Sequence, residues 1–221
     1  LIGALVFGTN LNIRWGACRV MQGGLGLLAL GAGLATTRSL VVLVPASIAM
    51  GIGYGLLTPA ASHILIRFTP ERNRNIVFSL KQSGVPAGGM LAATAGPAMT
   101  VLAGWQSTLW VFAALLCAMA WLLQAGRERW DDDRTASAPL AAGPLATISV
   151  IWRLPALRRV SIAGACLSAS QSIIQNYTVA MFYEELAMPL VQAGLILTLA
   201  QLGGVVGRLF WGWLADRSRD C

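Results

Sequence analysis

Gly212-Trp213-Leu214-Ala215-Asp216-Arg217-Ser218-Arg219 closes the last apolar run of the chain, Pro189–Leu214. The string sets a small residue, then a carboxylate, then guanidinium groups where a long apolar stretch gives way to charge. A glycine there lets a helix end approach its neighbours closely. The Asp216 carboxylate suits the N–H groups at the N-terminus of an adjacent helix, and Arg217 suits acidic groups or a helix C-terminus. Contacts of that kind can lock two helical bundles in one state and release them in another.

Outward from this string the chain is apolar nearly throughout. Of its 221 residues 56% are hydrophobic and 11% charged, and the mean hydropathy is +0.66. An ordinary soluble domain carries about 25% charged residues. The deficit excludes a soluble enzyme and a disordered chain, and makes lipid the solvent. The net charge of +7 does not describe a nucleic-acid binder. Fifteen of the sixteen basic residues are arginine, Lys81 is the other, and nearly all sit in short clusters between apolar runs. A basic face, which nucleic acid requires, is missing. The four cysteines form no CxxC and no Cys/His zinc spacing, so no metal site and no cofactor is expected.

A membrane-spanning helix needs about 20 mostly apolar residues. Six such runs can be drawn: Val20–Thr36, Leu40–Ile66, Ile76–Ala103, Gln106–Ala125, Val160–Tyr183 and Pro189–Leu214. Leu1–Leu11 reads as the tail of a further span, and the start at Leu1 without a methionine reads as a fragment of a longer protein. The connections alternate in basic content. Arg14 and Arg19 lie in the first, Arg38 alone in the second, and Arg67, Arg72 and Arg74 in the third. The fourth has none. Arg127, Arg129, Arg134, Arg153, Arg158 and Arg159 lie in the fifth, none in the sixth, and Arg217 and Arg219 follow the last run. By the positive-inside rule the rich connections are cytoplasmic, including the long loop 126–159. That loop, with Asp131, Asp132, Asp133, Pro139, Gly143 and Pro144, reads as a linker between two helical bundles. Its end, Ile148–Arg159, reads either as an interfacial segment or as a solvated loop.

The string Gly212–Arg219 resembles the G-x-L-A-D-R-x-G-R loop signature of the major facilitator superfamily, which follows the second helix and recurs after the eighth. Ser218-Arg219-Asp220 departs from the usual Gly-Arg ending. The resemblance places the chain as about helices two to eight of twelve. The first connection, Gly8-Thr-Asn-Leu-Asn12-Ile-Arg14-Trp-Gly16-Ala-Cys-Arg19, then stands where the other copy belongs. Its glycines and arginines are recognisable, its aspartate is missing, and Asn12 is a neutral substitute acceptor. Phe68-Thr-Pro-Glu71-Arg72-Asn-Arg74 is similar to the family's F-P-x-x-x-R-g turn. The implied fold is all-α: an incomplete polytopic transmembrane bundle of about seven spans. Residues 1–125 would be an N-terminal bundle lacking its first helix, 126–159 the interdomain linker, and 160–221 the start of the C-terminal bundle.

Charged and polar residues inside apolar helices mark candidate sites, since lipid tolerates them only beside a cavity or a partner. Lys81 is the sharpest, with Gln82 beside it; snorkelling to the interface is the structural alternative. Ser168, Gln171, Ser172, Gln175 and Asn176 fall within about 140° of one helix face. They suit a solute cavity or helix–helix hydrogen bonding. Arg208, Gln201 and Tyr54 are further solute-contact candidates. His63, the single histidine, is the candidate for proton coupling or gating. Gly212, Asp216, Arg217, Arg14, Gly16 and Arg19 are the conformational loop residues that the resemblance implies.

Two enzyme-like patterns fail on context. Gly24-Leu-Gly26-Leu-Leu-Ala29 matches a dinucleotide fingerprint but follows no strand. Gln82-Ser83-Gly84 is similar to the serine site of an intramembrane protease, but the single histidine, His63, precedes the serine and the usual preceding glycine is absent. The reading is therefore a secondary active transporter of a small solute, not an enzyme. By resemblance it works by alternating access in the inner or plasma membrane, with a proton as coupling partner; Lys81, Arg208 and the lack of carboxylates inside the apolar runs point to an organic or inorganic anion as solute. The alternatives are a small polytopic membrane enzyme or receptor-like protein, or an inactive transporter fragment.

Overall fold

A computed structural model of the chain describes residues 11–135 and 152–218, and six long helices account for most of them. They are α1 (Ala17–Ala35), α2 (Leu40–Phe68), α3 (Arg74–Ala103), α4 (Trp105–Leu122), α5 (Pro155–Glu184) and α6 (Leu190–Arg217). α4 runs on through a 3-10 turn, Leu123–Gly126, into one helical turn, Arg127–Trp130. No strand occurs among the described residues. Each helix falls within about five residues of an expected apolar run, the largest offset being Val160 against Pro155. That agreement follows from solvent: in lipid every backbone N–H and C=O must be satisfied inside its own segment, so an apolar run is a helix. The expected partial span at Leu1–Leu11 lies outside the described residues except for Leu11, as do 136–151 of the long loop and Arg219.

By length and composition four stretches can cross a membrane: Ala17–Ala35, Leu40–Phe68, Trp105–Trp130 and Gln192–Arg217. α3 and α5 are longer than most, at 30 residues each. They are less apolar because α3 carries Ser79, Lys81, Gln82 and Ser83, and α5 carries the serine, glutamine and asparagine stripe. Glycines set the helix starts. Gly16 (φ +93°) precedes α1 and Gly104 (φ +79°) precedes α4, a backbone region that side chains rarely enter. Pro45 and Pro59 sit inside α2, as membrane helices tolerate.

The described residues form two compact units, one drawn from Leu1–Phe68 and Ala103–Ser149, the other from Thr69–Leu102 and Val150–Cys221. In the first unit α1 packs on α2 and α4. A Cβ on Gly24 would lie 2.9 Å from the Gly53 carbonyl oxygen, and one on Gly53 would lie 2.6 Å from that of Gly24. The two backbones therefore touch. Ala29, Ala32 and Ala113 form a small cluster between α1 and α4, and Gln22 Nε2 donates to the Ala120 carbonyl and to Gln124 Oε1, both at 3.0 Å. In the second unit α5 and α6 form a hairpin, and α3 lies against α6 at three levels. Gly212 faces Asn75 and Ser79, Gly89 faces Gln201, and Gly194 faces the Ala93 carbonyl.

The buried apolar residues are mostly alanines, while leucines, tryptophans and isoleucines face outward; Leu40 is 81% exposed and Trp121 76%. A soluble protein has the reverse pattern. Lipid removes the hydrophobic drive between helices, so close contact of small residues holds them together.

Candidate functional site

α5 and α6 are antiparallel, and their polar residues meet in rungs. Arg208 Nη2 donates to Gln171 Oε1 at 3.0 Å, and two turns along α6 Gln175 Nε2 donates to Gln201 Oε1 at 3.4 Å. The α6 members follow helical spacing: Gln201, Gly204, Arg208 and Trp211 share a face. With Ser79 of α3 these residues line a cavity of about 650 Å³. Gly204 and Gly207 on the same wall carry no side chain and so leave it open. Arg208 is half-buried, and its Nη1 also donates to the Gly204 carbonyl at 3.5 Å. Among the described residues no carboxylate pairs with it. The cavity thus combines amide donors and acceptors with one guanidinium whose local acceptors are neutral. That chemistry suits an oxyanion bearing further polar groups.

Other expected solute contacts lie elsewhere. Lys81 does not line this cavity; its Nζ sits 5.8 Å from the Phe78 ring centroid. Gln82 is exposed. Asn176 Nδ2 donates back to the Ser172 carbonyl of its own helix at 2.8 Å, and both residues are exposed. Tyr54 is half-exposed, on α2 in the first unit.

At the end of α6 the Asp216 carboxylate accepts from two backbone N–H groups that open α3, Asn75 at 3.1 Å and Ile76 at 2.8 Å. Four N–H groups at a helix start lack partners within the helix, and a carboxylate there also meets the positive end of the dipole. Gly212 is obligatory one turn earlier, since a Cβ would overlap the Ser79 side chain. Arg217 stacks over Trp213, 5.4 Å from its ring centroid.

The first unit has a parallel arrangement with a different donor of charge. Asp131, 4% exposed, accepts from Cys18 N–H at 2.7 Å and from Arg19 N–H at 3.2 Å. It caps α1 from beyond the end of α4, and Arg127 Nε lies 3.7 Å from it. A Cβ on Gly16 would overlap the same carboxyl group. The Arg14 and Arg19 side chains are exposed; Arg19 takes part through its backbone. Asp132 and Asp133 both pair with Arg67, and Asp133 Oδ2 lies 2.7 Å from His63 Nε2. The hydrogen bond from Arg67 holds the Asp132 carboxyl below its ordinary value. The guanidiniums of Arg67 and Arg129 both lie over the Phe68 ring. No group of side chains able to hold a metal occurs among the described residues.

The sequence pattern of the Major Facilitator Superfamily matches residues 1–220. The chain belongs to that superfamily. As a major facilitator protein with four strongly apolar helices it is an integral membrane protein. In alignments 179 positions long that cover 76% of the chain, it is 24% identical to the chloroplastic sodium-dependent phosphate transport protein 1 of Arabidopsis thaliana and 25% identical to the chloroplastic ascorbate transporter of that plant. It is 24% identical to the probable anion transporter 4, chloroplastic, of Oryza sativa subsp. japonica. These alignments take up 35%, 33% and 30% of the relatives, so the chain spans about a third of their length. All three are named as transporters, none as an enzyme. No solved structure matches.

The capping role of Asp131 was not legible in this superfamily member's sequence. The signal was the Asp131-Asp132-Asp133 run itself, directly after an apolar stretch, which loop polarity explains equally well. Ser79 was hidden for a simpler reason: serine is common in membrane helices, and only the approach of α6 shows which serine faces a cavity.

Proposed function

We propose that the chain forms part of a secondary active transporter that moves a small anionic solute by alternating access. The observation that carries this reading is Arg208. A guanidinium inside an apolar helix, at a cavity, with only neutral acceptors around it, is expensive to keep unless an anion arrives. The names of the relatives, for phosphate, ascorbate and anions, support the same class. The amides of Gln171, Gln175 and Gln201 would meet the solute's remaining oxygens.

The Asp216 bonds supply the moving part. In a division into bundles 1–125 and 160–221, with 126–159 as cytoplasmic linker, α3 belongs to one bundle and α6 to the other. The Asn75 and Ile76 hydrogen bonds to Asp216 then join the two at the cytoplasmic side and must open when the bundles rock. Lys81 sits on α3 near that junction as a second cation. A proton is the proposed coupling partner, and His63, paired with Asp133 at 2.7 Å, is the gating residue of this reading.

The test is uptake by proteoliposomes holding the complete protein that contains these residues. The panel is radiolabelled inorganic phosphate, sulfate, ascorbate, glucose and choline, each under a proton or a sodium gradient. Concentrative uptake of an anion that Arg208→Gln lowers on the order of tenfold or more supports the reading, the size expected when a desolvated charge loses its partner. Uptake of glucose or choline alone, or anion uptake indifferent to Arg208→Gln, refutes it.

A further inference from the structure

We infer that Gln171 is the residue that sets the charge of the cavity: it holds the Arg208 guanidinium in place while leaving its positive charge for the solute. This rests on the anion reading above. Most guanidiniums that sit within apolar surroundings are held by carboxylates, which fix the group and cancel it together. Here the holding atom is an amide oxygen, Gln171 Oε1, at 3.0 Å from Nη2. The second acceptor, the Gly204 carbonyl, is also neutral. A guanidinium has five N–H donors in a rigid fork, so two neutral acceptors orient it without exhausting it.

The neighbouring rung repeats the choice. Gln175 and Gln201 pair amide to amide, so the polar wall that α5 and α6 build has no negative group. Its lining holds serine, glutamines and glycines beside aliphatic and aromatic residues, and Arg208 is its one charge. One change of functional group, amide to carboxylate, at Gln171 alone would convert a cationic cavity into a neutral one. The side chain keeps its size and its hydrogen bond. Gln171 is therefore a positioning residue for Arg208 and a determinant of charge selectivity.

Two substitutions separate this role from a merely structural one. Gln171→Glu keeps the hydrogen bond and supplies a counter-charge. Gln171→Met removes the hydrogen bond and leaves Arg208 charged. If the bond only shaped the helix pair, Met would be the more harmful. If charge is what matters, Glu is the more harmful. Both are made in the complete protein, checked for a single symmetrical peak by size exclusion, and read in two ways. One is uptake of radiolabelled phosphate and ascorbate. The other is the rate at which phenylglyoxal modifies Arg208, resolved by peptide mass spectrometry, which needs no transported solute.

The expected result is a loss of anion uptake on the order of tenfold or more in Gln171→Glu, with Arg208 modified more slowly because a carboxylate now holds it. Gln171→Met, which gives up both the bond to Arg208 and the amide that would meet the solute, loses some uptake but clearly less than Gln171→Glu, and its Arg208 reacts at least as fast as the parent's. Uptake lower in Gln171→Met than in Gln171→Glu, or equal in both, overturns the inference, as does unchanged Arg208 reactivity in Gln171→Glu. If Gln171→Glu is not recovered folded, Gln171→Met decides alone: loss to the level of Arg208→Gln overturns the inference, and a loss clearly smaller than that of Arg208→Gln, with Arg208 reacting at least as fast as the parent's, supports it. Indifference of uptake to Arg208→Gln refutes the anion reading itself, a different failure with a different variant.

Discussion

Asp131→Ala removes two hydrogen bonds and a charge from the start of α1 in one step. The Cys18 and Arg19 N–H groups, at 2.7 and 3.2 Å from the carboxylate, would lose their acceptor at a site that is 4% exposed. Hydrogen bonds to a charged group contribute roughly 1.5–3 kcal/mol each. Loss of a helix cap costs about 0.5–2 kcal/mol, and a partly buried charge at a helix end is worth up to about 2 kcal/mol. These figures describe the same contact from different sides and do not add, which leaves about 2–4 kcal/mol for alanine. Asparagine retains one carbonyl oxygen and should cost about half as much, roughly 1–2 kcal/mol. At about 2 °C per kcal/mol, the low end for 150–250 residues and suited to the longer complete protein, Asp131→Ala lowers the unfolding midpoint by roughly 4–8 °C. The assay is thermal unfolding of the purified complete protein in detergent, with exposed Glu128→Ala as the control that stays at the parent value. An Asp131→Ala midpoint within about 1 °C of the parent, where the scale above predicts several degrees, would show that the carboxylate does not cap α1.

Three further outcomes follow from other contacts. Gly53→Leu drives a side chain into the Gly24 carbonyl, which a Cβ alone would approach to 2.6 Å, so the α1–α2 pair should separate and the protein should elute as aggregate on size exclusion; a monodisperse peak contradicts the close crossing. Asp216→Ala removes the two N–H acceptors at the start of α3 and should cost about 1–2 kcal/mol of thermal stability, and an unchanged midpoint would place the cap elsewhere. Asp132 has a folded pKa below its ordinary value of 3.8, chiefly through the hydrogen bond from Arg67. Its contribution is complete above that ordinary value and disappears as pH falls through the lower folded one. A titration of unfolding midpoint against pH should therefore be flatter on the acid side in Asp132→Asn, and coincident curves would refute the pairing.

The helices were legible because lipid imposes one local rule on the backbone, and an apolar run obeys it without help from distant residues. Thus Leu40 opens α2 in the sequence reading and in the structure alike. Which residues share a cavity depends on facing, and facing depends on neighbours. Ser79 and Lys81 stand two residues apart on α3, so they point about 200° apart around the helix. Depth, which the sequence gives, suits both equally; only the line of approach of α6 selects Ser79. On α5 the stripe from Ser168 to Asn176 is divided by its neighbour. α6 covers Gln171 and Gln175 and leaves Ser172 and Asn176 exposed. The capping of α1 by Asp131 spans 113 positions, which no spacing rule can reach.

That distance has a consequence for how the protein is made. Ribosomes extend a chain at about 5–20 residues per second, so Asp131 is synthesised on the order of ten seconds after Cys18. Through that interval α1 is complete as a helix but its leading N–H groups have no partner from the chain. Water at the bilayer boundary must serve them until α4 arrives. Capping of α1 thus waits for the end of α4, and a nascent chain halted before Asp131 would carry α1 with an open end.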